Sequence, residues 1–151
     1  MAQSDLIGQA QAYIEAVNRG DWDAAVQLLS PDVLLIDHSL GGTLRGRDAW
    51  VGRFKPFAEA FPDIRMEQAW VVTDGRRLAH GVVVRGTHTG RLSLPTGKTI
   101  PATGRSVETH FAAAREVDDD QRVAVSHFYA NPLELLTQLG ITPAEAGLSA
   151  T

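Results

Sequence analysis

Cysteine is absent from the 151-residue chain. Disulfides, thiolate catalysis and cysteine-ligated metal sites are thereby excluded. No apolar run approaches the roughly 20 residues that a bilayer-crossing helix requires, so no membrane partner is expected. Lys and Arg are spread along the chain rather than clustered, and the formal net charge is −4, which argues against a nucleic-acid partner. The five histidines show neither H-x-H nor H-E-x-x-H spacing, and no metal site is expected. No serine occupies a G-x-S-x-G context, so the hydrolase elbow is missing. Thr96-Gly97-Lys98-Thr99 imitates the end of a phosphate-binding loop, but Leu92 stands where that loop needs its first glycine. A signal-like N-terminus is also lacking, and a cytoplasmic location is the expectation.

What is present is an ordinary balance, 44% apolar and 21% charged residues. That suits a single domain over residues 1–151, long enough to bury roughly 70% of its unfolded surface. The core is expected over about residues 5–140, with 141–151 as a frayed surface tail. Leu6, Ile7, Ala10, Tyr13, Ile14 and Val17 recur at helical spacing, between Ser4 as the expected cap and Gly20. Asp21 caps a second, shorter helix that uses Trp22, Ala25 and Leu29 and stops at Ser30-Pro31. Trp50, Phe54, Phe57 and Phe61 mark a third, with Pro56 bending it. Asp32 to His38 reads as an early strand. After Asp63 the period becomes two: Ile64 to Val72, an Asp74-Gly75 turn, Leu78 to Thr89, a loop or interrupted hairpin over residues 90–104, then Ser106 to Glu116 and Arg122 to Ala130. Helices first and an antiparallel sheet later give an α+β layout.

Strand parity sorts the polar side chains before any function is named. His127, Tyr129 and Asn131 share one face, and parity turns His80 and His127 inward. His80, Val82, Val84, Gly86 and His88 share a face of the valine-rich strand. Val33, Leu35 and Asp37 go together, leaving His38 opposite. Val107, Thr109, Phe111 and Ala113 form the apolar face of the strand from Ser106. Each candidate also has a plain structural role. A histidine on an apolar face can be a hydrogen-bonded core residue, Asp37 a turn carboxylate, and Asn131 before Pro132 a helix cap.

The segments "PDVLLIDHSLGGTLRGRDAW", "FPDIRMEQAWVV", "RGTHTG", "PATGRSVE" and "HFYANPLELLTQLG" follow in an order that resembles SnoaL-like polyketide cyclases of the nuclear-transport-factor-2-like superfamily. The resemblance spans about residues 5–140. It implies a cone-shaped α+β barrel, with N-terminal helices over a curved antiparallel sheet and a deep apolar pocket between them. It also implies a homo-dimer or homo-tetramer formed through the outer sheet face, and cofactor-free intramolecular aldol closure of an apolar polycarbonyl substrate. In the family an aspartate before the last helix and a histidine in GTHTG move protons. Here His88 matches the histidine, and Asn131 stands where the aspartate would be. An amide cannot act as a simple base, so Asp37, His88 and Asn131 are the expected catalytic set, with Asp37 as base in a pocket that raises its pKa. Trp50, Phe54, Trp70, His80, His127 and Tyr129 are expected to bind substrate. The alternatives are a hydroxylase partner, a spirocyclising or epoxide-opening relative, an isomerase using Asp37, and a non-catalytic small-molecule binder.

Overall fold

The computed structural model describes residues 3–148, and side chains from residue 6 onward. Helix α1 (Gln3–Asn18) packs Leu6, Ala10, Tyr13, Ile14 and Val17 inward, as their spacing predicts. Ser4 already lies inside the helix and is not its cap; its side chain falls outside the described residues. Helix α2 (Trp22–Gln27) is capped by Asp21, which accepts from the Ala24 amide at 3.0 Å. It ends earlier than expected, and Leu29, Ser30 and Pro31 belong to strand β1 (Leu29–Asp37). A short strand β2 (Thr43–Arg45) and helix α3 (Arg47–Ala60, with Pro56 inside) follow.

The remaining strands are β3 (Arg65–Thr73), β4 (Arg77–Thr87), β5 (Leu92–Ser93), β6 (Thr99–Ile100), β7 (Ser106–Val117) and β8 (Val123–Ala130), before helix α4 (Pro132–Leu139). The main sheet runs β2-β1-β8-β7-β4-β3, and β5-β6 is a separate hairpin within the segment read as a loop. The α+β class stands, with two corrections to the barrel picture. The sheet curves but does not close, and β1 pairs with β8 in parallel, because β1 enters from the helical layer rather than from a hairpin.

Two irregularities decide which side chains reach the interior. In β3 the register slips between Gln68 and Trp70, and in β8 it slips between Val123 and Val125. Each extra residue reverses the alternation beyond it. Beyond the second slip the inward set is Ser126, Phe128 and Ala130, all of which line the interior cavity.

Helix α4 completes the shell. Asn131 is its N-cap, accepting from the Leu133 amide at 3.0 Å, and Gly140 closes it with φ 73°. The end of β7 that β8 does not reach is covered by α4 side chains. Gln138 exchanges two 2.8 Å bonds with the Glu108 backbone, and Glu134 accepts from the His110 amide at 2.6 Å. Those bonds satisfy backbone groups that an open sheet edge would leave to water. The tail is not frayed surface up to residue 148. Ala146 is fully buried, Ile141 and Leu148 pack on the core, and the Thr96 hydroxyl donates to the Ala146 carbonyl. No described helix is long and apolar enough to cross a membrane.

Candidate active site

Between α1, α3, α4 and the inner sheet face lies an apolar cavity open to solvent at its mouth. Its wall is a chain of aromatic rings. Trp50 meets Phe54 edge-on at 5.3 Å, Phe54 meets Phe128 at 5.0 Å, and Phe128 meets Phe111 at 5.2 Å. Trp50 Nε1 donates to the Tyr13 hydroxyl at 2.9 Å, which ties α3 to α1 and fixes the indole. Trp50 and Phe54 therefore stand where the sequence places them.

Asp37 does not. It is buried behind Arg53 and Ser39, which line the cavity while it does not. Its Oδ1 accepts from the Ser39 hydroxyl at 2.6 Å, the Ser39 amide at 2.8 Å and the Leu40 amide at 3.3 Å, and its Oδ2 accepts from Arg53 Nε at 2.7 Å. Burial works to raise its pKa, but the Ser39 and Arg53 hydrogen bonds and the Arg53 charge outweigh it and hold the carboxyl below its ordinary range. The expected raised pKa is corrected: this carboxylate anchors Arg53 and does not line the cavity.

His88 and His80 are both buried, and neither lines the cavity. His88 stacks on Phe61 at 5.2 Å, and its Nδ1 accepts from the Thr103 amide at 3.2 Å while meeting the Thr103 hydroxyl at 3.0 Å. It clips the loop after β4 to the segment before β7, with burial lowering its pKa. The Nδ1 of His80 bonds Gln68 Oε1 at 2.9 Å. Burial and then the Arg115 charge bring the His80 pKa down to about 3.

The two strand slips place Trp70, His127 and Tyr129 outside. Trp70 is 49% exposed and lies over Gly81, where a Cβ would fall 2.1 Å from the indole Nε1. His127 and Tyr129 join His38 in an outer-face stack, with ring centroids 5.2 and 4.4 Å from that of His38. Asn131, past the strand end, reaches the cavity mouth and also caps α4.

The interior adds polar groups that sequence reasoning passed over. Arg53 lies over Phe54 and Phe128, and Arg115 over Tyr13 and Trp50. Arg115 continues the inward set Val107, Thr109, Phe111 and Ala113, so parity alone points to it. At the rim, His110 Nδ1 donates to Glu134 Oε2 at 2.7 Å. The His110 side chain is 57% exposed, springs from the face of β7 opposite Thr109 and Phe111, and borders the outer-face groove beside Trp70 and Tyr129 as well as the cavity mouth. An ionised carboxylate only accepts, so the ring's Nε2 is left with its lone pair when the imidazole is neutral.

The sequence profile of the SnoaL-like domain matches residues 10–126. The chain belongs to the SnoaL-like domain family. Among solved structures, AclR of Streptomyces galilaeus, a proposed hydroxylase, superposes with TM-score 0.81 at 23% identity, covering 94% of this chain and 85% of that one. IdmH of Streptomyces antibioticus, a proposed polyketide cyclase, gives TM-score 0.74 at 26% identity, covering 90% and 99%. A proposed polyketide cyclase from Xanthomonas campestris pv. campestris gives 0.72 at 28%, covering 91% and 98%. No curated protein matches the chain. The likeness to AclR carries the fold alone. The SnoaL-like fold accounts for an apolar cavity with a few polar groups at fixed points.

Proposed function

We propose that this SnoaL-like protein is a cofactor-free tailoring enzyme of the polyketide-cyclase type, closing a ring in a flat, apolar polycarbonyl compound. The carrying observation is the aromatic-walled cavity that ends in the His110–Glu134 pair and Asn131. The ionisable residues lining the cavity are Tyr13, Arg53, His110, Arg115 and Glu134. Two are guanidinium cations, burial raises the pKa of the Tyr13 phenol, and Glu134 is engaged by the His110 ring and amide. His110 Nε2, at the exposed rim, is the neutral acceptor that a substrate carbon at the cavity mouth would meet.

The step balances without a co-reactant. His110 takes a proton from the carbon beside a substrate carbonyl, and the enolate carbon forms a bond to a second carbonyl carbon. The oxygen of that carbonyl recovers the proton from the imidazolium. The Asn131 Oδ1 is committed to the helix cap, so its Nδ2 is the amide group that donates to the developing enolate oxygen, an interaction of about 3 kcal/mol when well placed. The cavity folds the chain so that the reacting carbons meet.

The proposal includes self-association through the outer sheet face, where Trp70, Val72 and Tyr129 are 49%, 61% and 48% exposed. Its test is NMR in heavy water, following exchange of protons beside the carbonyl of aryl ketones and β-keto esters. Catalysed exchange that is lost in His110→Ala and reduced in Asn131→Ala is the expected result. Binding without exchange by the unaltered protein would instead favour a ligand carrier.

A further inference from the structure

Arg115 is 7% exposed, yet no carboxylate and no hydrogen-bond acceptor pairs with it among the described residues. Its Nε is buried with no partner. A cation kept dry without a counter-charge is costly, and the Tyr13 and Trp50 rings beneath it, 4.9 and 5.6 Å from the guanidinium carbon, offset that only in part. Nothing around it supplies negative charge. Tyr13 is a neutral phenol, and His80 is a neutral imidazole whose pKa the Arg115 charge helps to depress.

Two groups beside Arg115 on the cavity wall are donors, while His80, behind the wall, gives its Nδ1 hydrogen to Gln68 and keeps a neutral Nε2 lone pair. Ser126 is the direct cross-strand partner of Arg115 in the β7–β8 ladder, on the same inward face. Side chains at such paired positions stand about 5 Å apart at Cβ. The Ser126 hydroxyl is 1% exposed and has no partner. The Tyr13 oxygen already accepts from Trp50, which leaves its own hydrogen to donate. Guanidinium, hydroxyl and phenol thus line one part of a cavity whose other walls are apolar.

We propose that the cavity's ligand is a carboxylate, whose two oxygens dock on the Arg115 guanidinium beside Ser126 and Tyr13 while its apolar body lies along Trp50, Phe54 and Phe128. A planar, two-oxygen anion matches the guanidinium fork, and the flanking rings suit a flat group. The inference deepens the proposed function by naming the substrate class, an apolar polycarbonyl acid rather than its ester. It rests on the cavity being the ligand site.

The test is equilibrium binding of 6-acetyl-2-naphthoate and its methyl ester, read by quenching of tryptophan fluorescence. Binding is measured without turnover, so failure of the ring-closing chemistry leaves it unaffected. The unaltered protein should prefer the acid by on the order of 10- to 100-fold, the range expected for hydrogen bonds to a charged group. Arg115→Met should abolish that preference, acid and ester then binding alike. Ser126→Ala, a smaller change that spares the cation, should reduce it. Equal binding of acid and ester by the unaltered protein, or a preference that survives Arg115→Met, would overturn the proposal.

Discussion

Arg115→Met removes a buried cation and keeps an unbranched side chain of similar reach. In the structure this guanidinium has aromatic faces below it and no anion beside it, so the substitution breaks no ion pair. Replacing buried charge by a packed apolar side chain typically gains about 1–4 kcal/mol. Losing the attraction to the two rings subtracts about 2 kcal/mol, the value for a desolvated cation. The expected balance lies between no change and a gain of about 2 kcal/mol, equivalent to a rise of at most roughly 5 °C in Tm for a domain of this size. Urea titration at pH 7, with and without a saturating aryl carboxylate, measures it. The ligand should stabilise the unaltered protein strongly and Arg115→Met hardly at all. A variant destabilised by 2 kcal/mol or more would refute the reasoning, because it would show that Arg115 is a satisfied structural residue.

Two further perturbations follow from buried charges. Asp37→Asn leaves Arg53 in a largely buried site without its counter-ion, since the paired side chains are only 13% and 4% exposed. A loss of about 3 kcal/mol is expected in urea unfolding, whereas a neutral outcome would mean that Arg53 turns to solvent at little cost. The second concerns acid. His80 has a folded pKa of about 3 against an ordinary 6.5, so the unfolded chain binds the proton first as pH falls. The contribution of neutral His80 is intact above pH 6.5 and is lost progressively towards pH 3. By linkage the loss is about 2 kcal/mol between pH 6.5 and 4.5, and the lowered pKa of His88 acts in the same direction. Urea midpoints across that range should fall more shallowly in His80→Gln, and parallel curves would contradict the assignment.

The helices were legible because apolar spacing and caps are local signals. Asp21, Gly140 and the Asn131 cap stand as their residue types require. The faces of β4 and β7 followed parity, since an unbroken ladder joins them from Arg77–Glu116 to Thr87–Ser106. Parity failed for Trp70, His127 and Tyr129 because one extra residue in β3 and one in β8 reverse the alternation, and nothing in local composition announces a slip. Gly81 did carry a trace of the first, since only a glycine leaves room for the overlying indole. Arg115 was hidden by its type rather than its place: an arginine in an alternating strand reads as solvent-facing, although its position continues the inward set. Arg53 is similar, because its placement between Trp50 and Phe54 sets it beside the aromatic face of α3. Asp37 was located correctly in its strand, but its bonds to Ser39, Leu40 and Arg53 form only when the chain turns after β1 and α3 packs alongside.

Proton exchange in heavy water, followed by NMR for carboxylated aryl ketones and β-keto esters, tests the central claim most directly. Exchange catalysed by the unaltered protein and lost in His110→Ala, with binding of the acid retained, is the predicted result. Exchange at the unaltered rate in His110→Ala, or tight binding with no exchange in the unaltered protein, would contradict it.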